Sequence, residues 1–208
     1  MKSQSSASTR KTHDVIVIGG GSAGYAAART ARDAGADVAI VDQGPLGGLC
    51  ILRGCMPTKA ILRSAEVAAL LRRTKEFGLS PVSAHADLST IVDRKDRLVR
   101  EFADYRIQQL QDLRFTLYQS RAVFLSPHEI AVGDAVLSAG SFIIATGSRP
   151  SEVPIPGLVP AGYFTSDTIL DLRTQPGSLI VLGGGAVALE LSQFFARLGT
   201  KVTILQRG

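Results

Sequence analysis

The 208-residue sequence has no tryptophan, two cysteines, two methionines and three histidines, and aromatic residues make up 6% of it. A nucleic-acid surface needs a basic stripe with interleaved aromatics, and neither is present, so nucleic-acid binding is excluded. No apolar run approaches the roughly 20 residues of a membrane-spanning helix, so no membrane partner is expected. A zinc site on the cysteines would need two more ligands nearby, and His13, His85 and His128 are scattered. No metal site is expected. The net charge is +5. Lys2, Arg10 and Lys11 stand in the first thirteen residues without an acid, and residues 1–13 read as a solvated, disordered tail. The first apolar run begins at Val15 and ends in glycines instead of a cleavage site, which argues against a secretory signal and for a cytoplasmic location. Against these shortages stands an excess: 21 glycines, clustered, where roughly 7% is usual. Clustered glycine marks places where backbone turns sharply or approaches something closely.

The first cluster follows a short β-branched run, Asp14–Ile18, that reads as a buried strand. Gly19-Gly-Gly-Ser-Ala-Gly24 leads into an Ala-rich helix from Tyr25 to about Ala34, and Asp37–Val41 is a second strand closed by Asp42. This is G-x-G-x-x-G in a β-turn-α-β unit, with an acid at the end of the next strand. The first glycine makes the tight turn, the second admits a pyrophosphate, and the third lets the helix pack on the strand. The helix N-terminus offers unpaired N–H groups to phosphate, and Asp42 can accept from a ribose.

Further on, helices are expected over 57–76 and 88–113, the second capped by Asp87. Short strands are expected at 115–119, 122–125, 129–132 and 135–137, with a hairpin turn at Gly133-Asp134. Ser141–Gly147 reads as a separate buried strand. Residues 151–176 have the composition of a linker. The opening pattern then recurs: strand Ser178–Leu182, the turn Gly183-Gly-Gly-Ala-Val-Ala188, a helix from Glu190 to Leu198, and strand Lys201–Leu205. Two such units suggest two nucleotides.

Cys50 and Cys55 lie between the units. A structural disulfide closing so short a loop adds little entropy-based stability, which leaves a reactive redox pair as the best candidate. In a regular helix, residues five apart have Cα atoms about 8.6 Å apart, beyond the ~7 Å a disulfide tolerates. Pairing would therefore need a distorted segment, which Gly54 permits.

The segment Gly47-Gly-Leu-Cys-Ile-Leu-Arg-Gly-Cys-Met-Pro57 resembles the redox signature G-G-x-C-x-x-x-G-C-x-P of the class I pyridine nucleotide–disulfide oxidoreductases, the family of dihydrolipoamide dehydrogenase, glutathione reductase and mercuric reductase. Ala145-Thr-Gly147 resembles the family's second FAD contact, and Val187–Gly199 looks most like mercuric reductases. The resemblance implies an α/β fold of two Rossmann-like units, each three-layered on a parallel central sheet, with an antiparallel β-meander in the first and the second truncated. It implies an FAD-binding domain over 14–150 and the start of an NAD(P)-binding domain over 177–208.

It also implies roles. FAD would lie on Gly19, Gly21, Ser22, Ala23, Gly24, Asp42, Gly48, Ala122, Ala145, Thr146 and Gly147. Cys50 would be the interchange thiol and Cys55 the charge-transfer thiol. Lys59 would stand near the flavin's reactive nitrogen and pair with Glu190 across the nicotinamide site. NAD(P) would lie on Gly183, Gly185, Ala186, Val187, Glu190, Gln206 and Arg207. Electrons would pass between NAD(P)H, FAD, a Cys50–Cys55 disulfide and a small thiol, disulfide or metal-thiol substrate. The full-length protein would be a homodimer. Alternative expectations are a flavin-binding fragment without turnover, or a flavoprotein dehydrogenase or transhydrogenase, which generally needs no Cys-x4-Cys pair.

Three positions depart from the family pattern. Leu52 stands where asparagine is usual, and Ala186 where glutathione reductases carry a gating tyrosine. Gln206 replaces the acid of NAD-using members, and Arg207 follows it, which lowers repulsion of a 2′-phosphate and favours NADP(H) over NAD(H). Family members continue past the position of Gly208 with a dimerisation domain carrying a His–Glu pair. The chain is therefore expected to be the N-terminal part of the enzyme.

Overall fold

The computed structural model describes residues 10–83, 85–111 and 114–207. They form two compact units, one within residues 10–50 and 102–148, the other within 51–101 and 149–207. The helix that follows the cysteines lies in the second unit. Among the described residues, no helix is long and apolar enough to cross a membrane.

The first unit is built on a six-stranded, mixed sheet. β1 (Arg10–Ile18) pairs in parallel with β2 (Val38–Val41) on one side and with β6 (Ala135–Ile144) on the other, and β3 (Thr116–Tyr118) extends the parallel part beyond β2. β4 (Ala122–Ser126) and β5 (Glu129–Val132) add an antiparallel meander beyond β6. All four residues of β2 are buried, as a parallel strand covered on both faces requires. Alternation divides the core. Val17 and Ile40 face one cluster with Leu110 and Phe115, while Ile16, Ala39 and Val41 face the other with Ile130 and Leu137. Helix α1 (Ser22–Asp33) connects β1 to β2 and buries Tyr25 and Ala28 in the first cluster.

The helix expected over 57–76 runs instead from Cys55 to Leu71, with a separate 3-10 turn at Thr74–Phe77, and two strands also differ from the sequence reading. β1 begins at Arg10, inside the expected tail, because Arg10–His13 pair with Val136–Ala139. The rest of that tail lies outside the described residues. The two strands expected at 135–137 and from Ser141 are one strand, β6. Its Ser138-Ala-Gly140 stretch reads locally as a break, but Ser138 pairs with Thr12 on one side and Glu129 on the other, and Ala139 pairs with His13. His13 ties the strand ends together: its side chain is buried, with Nδ1 2.8 Å from Asp37 Oδ2 and Nε2 3.2 Å from the Tyr118 hydroxyl.

The second unit holds α3 (Cys55–Leu71), most of α4 (Leu88–Gln111), a one-turn α5 (Leu158–Ala161), and a parallel pair, β7 (Ser178–Leu182) and β8 (Lys201–Leu205), joined by α6 (Ala186–Leu198). Helical spacing sets the packing. Ile61 and Ala65 of α3, Leu88 and Val92 of α4, and Leu191, Phe194 and Phe195 of α6 share one cluster. Full burial of such side chains contributes roughly 1.5–3 kcal/mol each. Asp87 caps α4, accepting from the Ser89 backbone N–H at 3.0 Å and from the Thr90 hydroxyl at 2.6 Å. The Thr90 bond is the main reason its carboxyl is held below the usual carboxylate range. The buried Lys95 donates to Asp171 at 2.8 Å and pairs with Asp96 at 2.6 Å.

Candidate functional site

The first nucleotide turn leaves the C-terminal end of β1. Gly19 has φ +107°, in the region that favours glycine, and its N–H donates to the Val41 carbonyl at 2.7 Å. A Cβ on Gly19 would lie 2.2 Å from the Ala145 carbonyl oxygen, and one on Gly24 would lie 1.7 Å from the Gly19 carbonyl oxygen. These two glycines are therefore demanded by the chain's own packing, the first by the turn and the third by helix-on-strand contact. Gly21 is different. A Cβ there would meet only Gly48 Cα, at an ordinary 3.5 Å. Packing leaves room above it. Gly21 also precedes α1 without any side-chain cap, and α1 has no acid in its first turn. Its first N–H groups are the kind of array that takes an anion.

Asp42 lies against this turn. One carboxylate oxygen accepts from the Gly20 N–H at 2.6 Å, the other from the Gly44 N–H at 2.7 Å. A carboxylate has about four acceptor directions, so two remain. Ala145 follows β6 and donates to the Ile18 carbonyl at 2.8 Å, while Thr146 and Gly147 are exposed beyond it. Ala122 opens β4 and packs against the Ile16–Val41 cluster.

The redox segment begins where this turn ends. A Cβ on Gly48 would lie 2.4 Å from Gly21 Cα, and Gly48 has φ +74°. The two backbones touch with no side chain between them. Gly48 starts a short helix, α2 (Gly48–Leu52), which carries the half-buried Cys50. The helix stops at Arg53-Gly54, and α3 begins afresh at the exposed Cys55. The two cysteines therefore sit on separate helices. Lys59, a turn further along α3, donates to Glu190 of α6. The structure thus joins two residues 131 positions apart that the sequence placed in a common role.

The second turn follows β7. Gly183 has φ +107° and donates to the Leu205 carbonyl at 2.8 Å. Gly184 donates to Gln206 Oε1 at 2.6 Å, and Gln206 Nε2 donates to the Arg207 carbonyl at 2.7 Å. Gly185 precedes α6, again without a side-chain cap, and Ala186 and Val187 occupy its exposed first turn. One contact beside the redox segment had no sequence signal: Arg53, between the cysteines, pairs at 3.5 Å with Asp167, whose side chain is largely covered. Among the described residues no cluster of three metal-ligating side chains is present.

The sequence profile of the pyridine nucleotide-disulphide oxidoreductase family matches residues 13–208. The chain belongs to this family. Members and relatives use FAD and NAD(P)H. The chain is 37% identical over 196 residues to a mercuric reductase of Lysinibacillus sphaericus, covering 94% of this chain and 36% of the relative. It is 39% identical over 199 residues to a dihydrolipoyl dehydrogenase of Thermus scotoductus, covering 94% and 42%. Among solved structures it is similar to the HOCl-induced flavoprotein disulfide reductase RclA of Escherichia coli, with a TM-score of 0.78 and 30% identity, covering 93% of this chain and 42% of that one. The α/β fold with Rossmann-like nucleotide units is that of the family. The chain spans less than half the length of each of these relatives.

Proposed function

We propose that this chain carries the flavin-binding and redox-active part, and the opening of the nicotinamide-nucleotide part, of a disulfide oxidoreductase of the mercuric reductase or dihydrolipoyl dehydrogenase kind. The carrying observation is the bare contact of Gly48 with Gly21. It fixes the start of the cysteine segment directly against the turn whose free N–H groups suit a pyrophosphate. The residues fit FAD: a space that packing leaves open above Gly21, uncapped helix N–H groups, and spare acceptor capacity on Asp42. In this reading residues 14–150 form the flavin domain and the nicotinamide domain starts at 177.

Gly19, Gly21, Ser22, Ala23 and Gly24 hold the pyrophosphate. Asp42 takes the adenosine ribose, Ala122 contacts the adenine through its backbone, and Ala145, Thr146 and Gly147 line the dinucleotide. A bound flavin supplies the link between a two-electron hydride donor and a thiol pair. Toward substrate, the Cys50 thiolate attacks one sulfur of a disulfide, forming a mixed disulfide and releasing one thiolate. Cys55 then attacks the Cys50 sulfur, closing Cys50–Cys55 and releasing the second thiolate, so two electrons pass to the substrate. Dithiol oxidation runs the same steps backward. Lys59, oriented by Glu190, places a positive charge beside the flavin ring, and Glu190 borders the nicotinamide. Gly183, Gly185, Ala186 and Val187 hold the second nucleotide, and neutral Gln206 with cationic Arg207 favours NADP(H). A thiol-bound metal ion is a second substrate class, supported by relatives named mercuric reductase; two thiolates are soft ligands suited to it. The homodimer belongs to the longer protein of this reading.

The test is spectroscopic. FAD titrated into the purified chain should bind. Two-electron reduction should then raise a long-wavelength band from the Cys55 thiolate against the flavin. The band should vanish in Cys55→Ser; a band that persists there refutes the thiol roles. Flavin binding with no band in the wild type would instead favour a flavin-binding protein without disulfide turnover.

A further inference from the structure

Away from both nucleotide turns and the cysteines, the second unit has a cavity of about 550 Å³, broadly open to solvent, between α3, residues 85–87, the start of α4 and the end of α6. That size is ordinary for a small-molecule site. Its apolar lining includes Val67 and Leu71 of α3 and Ile91 of α4. Its cationic lining is Arg63, Arg72 and Arg94. Two of these guanidinium groups already have one partner each. Arg63 donates to Glu66 at 2.7 Å, and Arg94 donates to the Ala60 carbonyl at 2.9 Å. A guanidinium has five N–H donors, so each keeps several for a ligand. The acid in the lining, Asp87, is occupied by Ser89 and Thr90 in capping α4.

We propose that this cavity binds a small organic anion with an apolar tail. The head meets Arg72 and Arg94, and the tail lies on Val67, Leu71 and Ile91. An inorganic anion would leave the apolar lining wetted, and a neutral apolar molecule would cover guanidinium groups without pairing them. Only a ligand with both parts satisfies the two surfaces together. The site is separate from the redox reading and stands or falls without it.

Isothermal titration of the purified chain with octanoate, 1-octanol and inorganic phosphate tests this. Octanoate should bind saturably at one site, while octanol and phosphate should not at the same concentrations. Arg72→Gln with Arg94→Gln should weaken octanoate by at least about tenfold, and Ala68→Phe, which fills the cavity, should abolish binding. Amide chemical shifts of the unsubstituted chain give a reading that needs no variant: octanoate should move residues 63–72 and 85–94. Equal binding of octanol, unchanged affinity in both variants, shifts confined to other residues, or no saturable binding would each overturn the proposal.

Discussion

The turns after β1 and β7 follow one backbone pattern. Gly19 and Gly183 share φ +107°, and each donates to the last carbonyl of the next strand, at 2.7 and 2.8 Å. Gly20 and Gly184 each donate, at 2.6 Å, to a side chain 22 positions later, Asp42 in one turn and Gln206 in the other. Gly21 and Gly185 each precede a helix with no side-chain cap. The surroundings differ. Around the first turn, added Cβ atoms would strike Ala145 and Gly19 itself. Around Gly183 and Gly185 they would meet nothing within 4 Å. β2 is wholly buried, whereas Ile180 of β7 and Leu205 of β8 are largely exposed. The backbone of a nucleotide turn is therefore set locally, by its glycines and its strand pair. The steric demand for glycine comes at Gly24 from the turn's own Gly19 carbonyl and at Gly19 from Ala145 beyond β6, a neighbour that Gly183 lacks among the described residues.

The largest test of that contrast is Gly24→Ala. Its methyl would overlap the Gly19 carbonyl, costing about 3 kcal/mol or more, with loss of flavin affinity in fluorescence titration. The counterpart in the second turn, Ala188, already carries that methyl. Next comes Gly48→Ala, which adds a clash with Gly21 to a left-handed φ; denaturant unfolding should show a loss of about 1–3 kcal/mol. Gly185→Ala has φ −72° and open space, and should stay within about 0.5 kcal/mol. Equal losses at Gly48 and Gly185 would erase the distinction. Gln206→Asp makes the second turn's acceptor match the first, and should shift the NADPH-to-NADH affinity ratio toward NADH by about tenfold. The smallest effect belongs to a helix start of the opposite kind. α4 is closed by Asp87 where α1 and α6 are left open, and Asp87→Ala should lower Tm by a few degrees. Because the folded-state pKa of Asp87 is depressed, its contribution is full above the ordinary carboxylate pKa. It is lost as pH falls through the folded value. The Tm difference between wild type and variant should therefore shrink in acid.

Elements whose signal is local were legible in the sequence. Both glycine turns, β2, most of α6 and the Asp87 cap were read from adjacent residues, while the short helix α2 was not expected. What escaped was long-range. β6 looked like two strands because Ser138-Ala-Gly140 has weak strand character, and the pairing of Ser138 and Ala139 with distant residues carries the strand through. Arg10 looked like tail because its partner, Val136, is distant in sequence. The pairs Arg53–Asp167 and Lys95–Asp171, and His13 with Asp37 and Tyr118, join residues whose spacing carries no pattern. Lys59 and Glu190 were matched through family resemblance, since neither is distinctive by itself.

The meeting of Gly21 and Gly48 bears on how such a protein can change. A contact padded by side chains can be retuned one substitution at a time, each shifting the spacing by a fraction of an ångström. A contact of two bare backbones offers no such dial. The cysteine segment is anchored at its first residue, so new geometries between thiols and nucleotide must arise downstream. Variation is channelled into the residues between and after the cysteines.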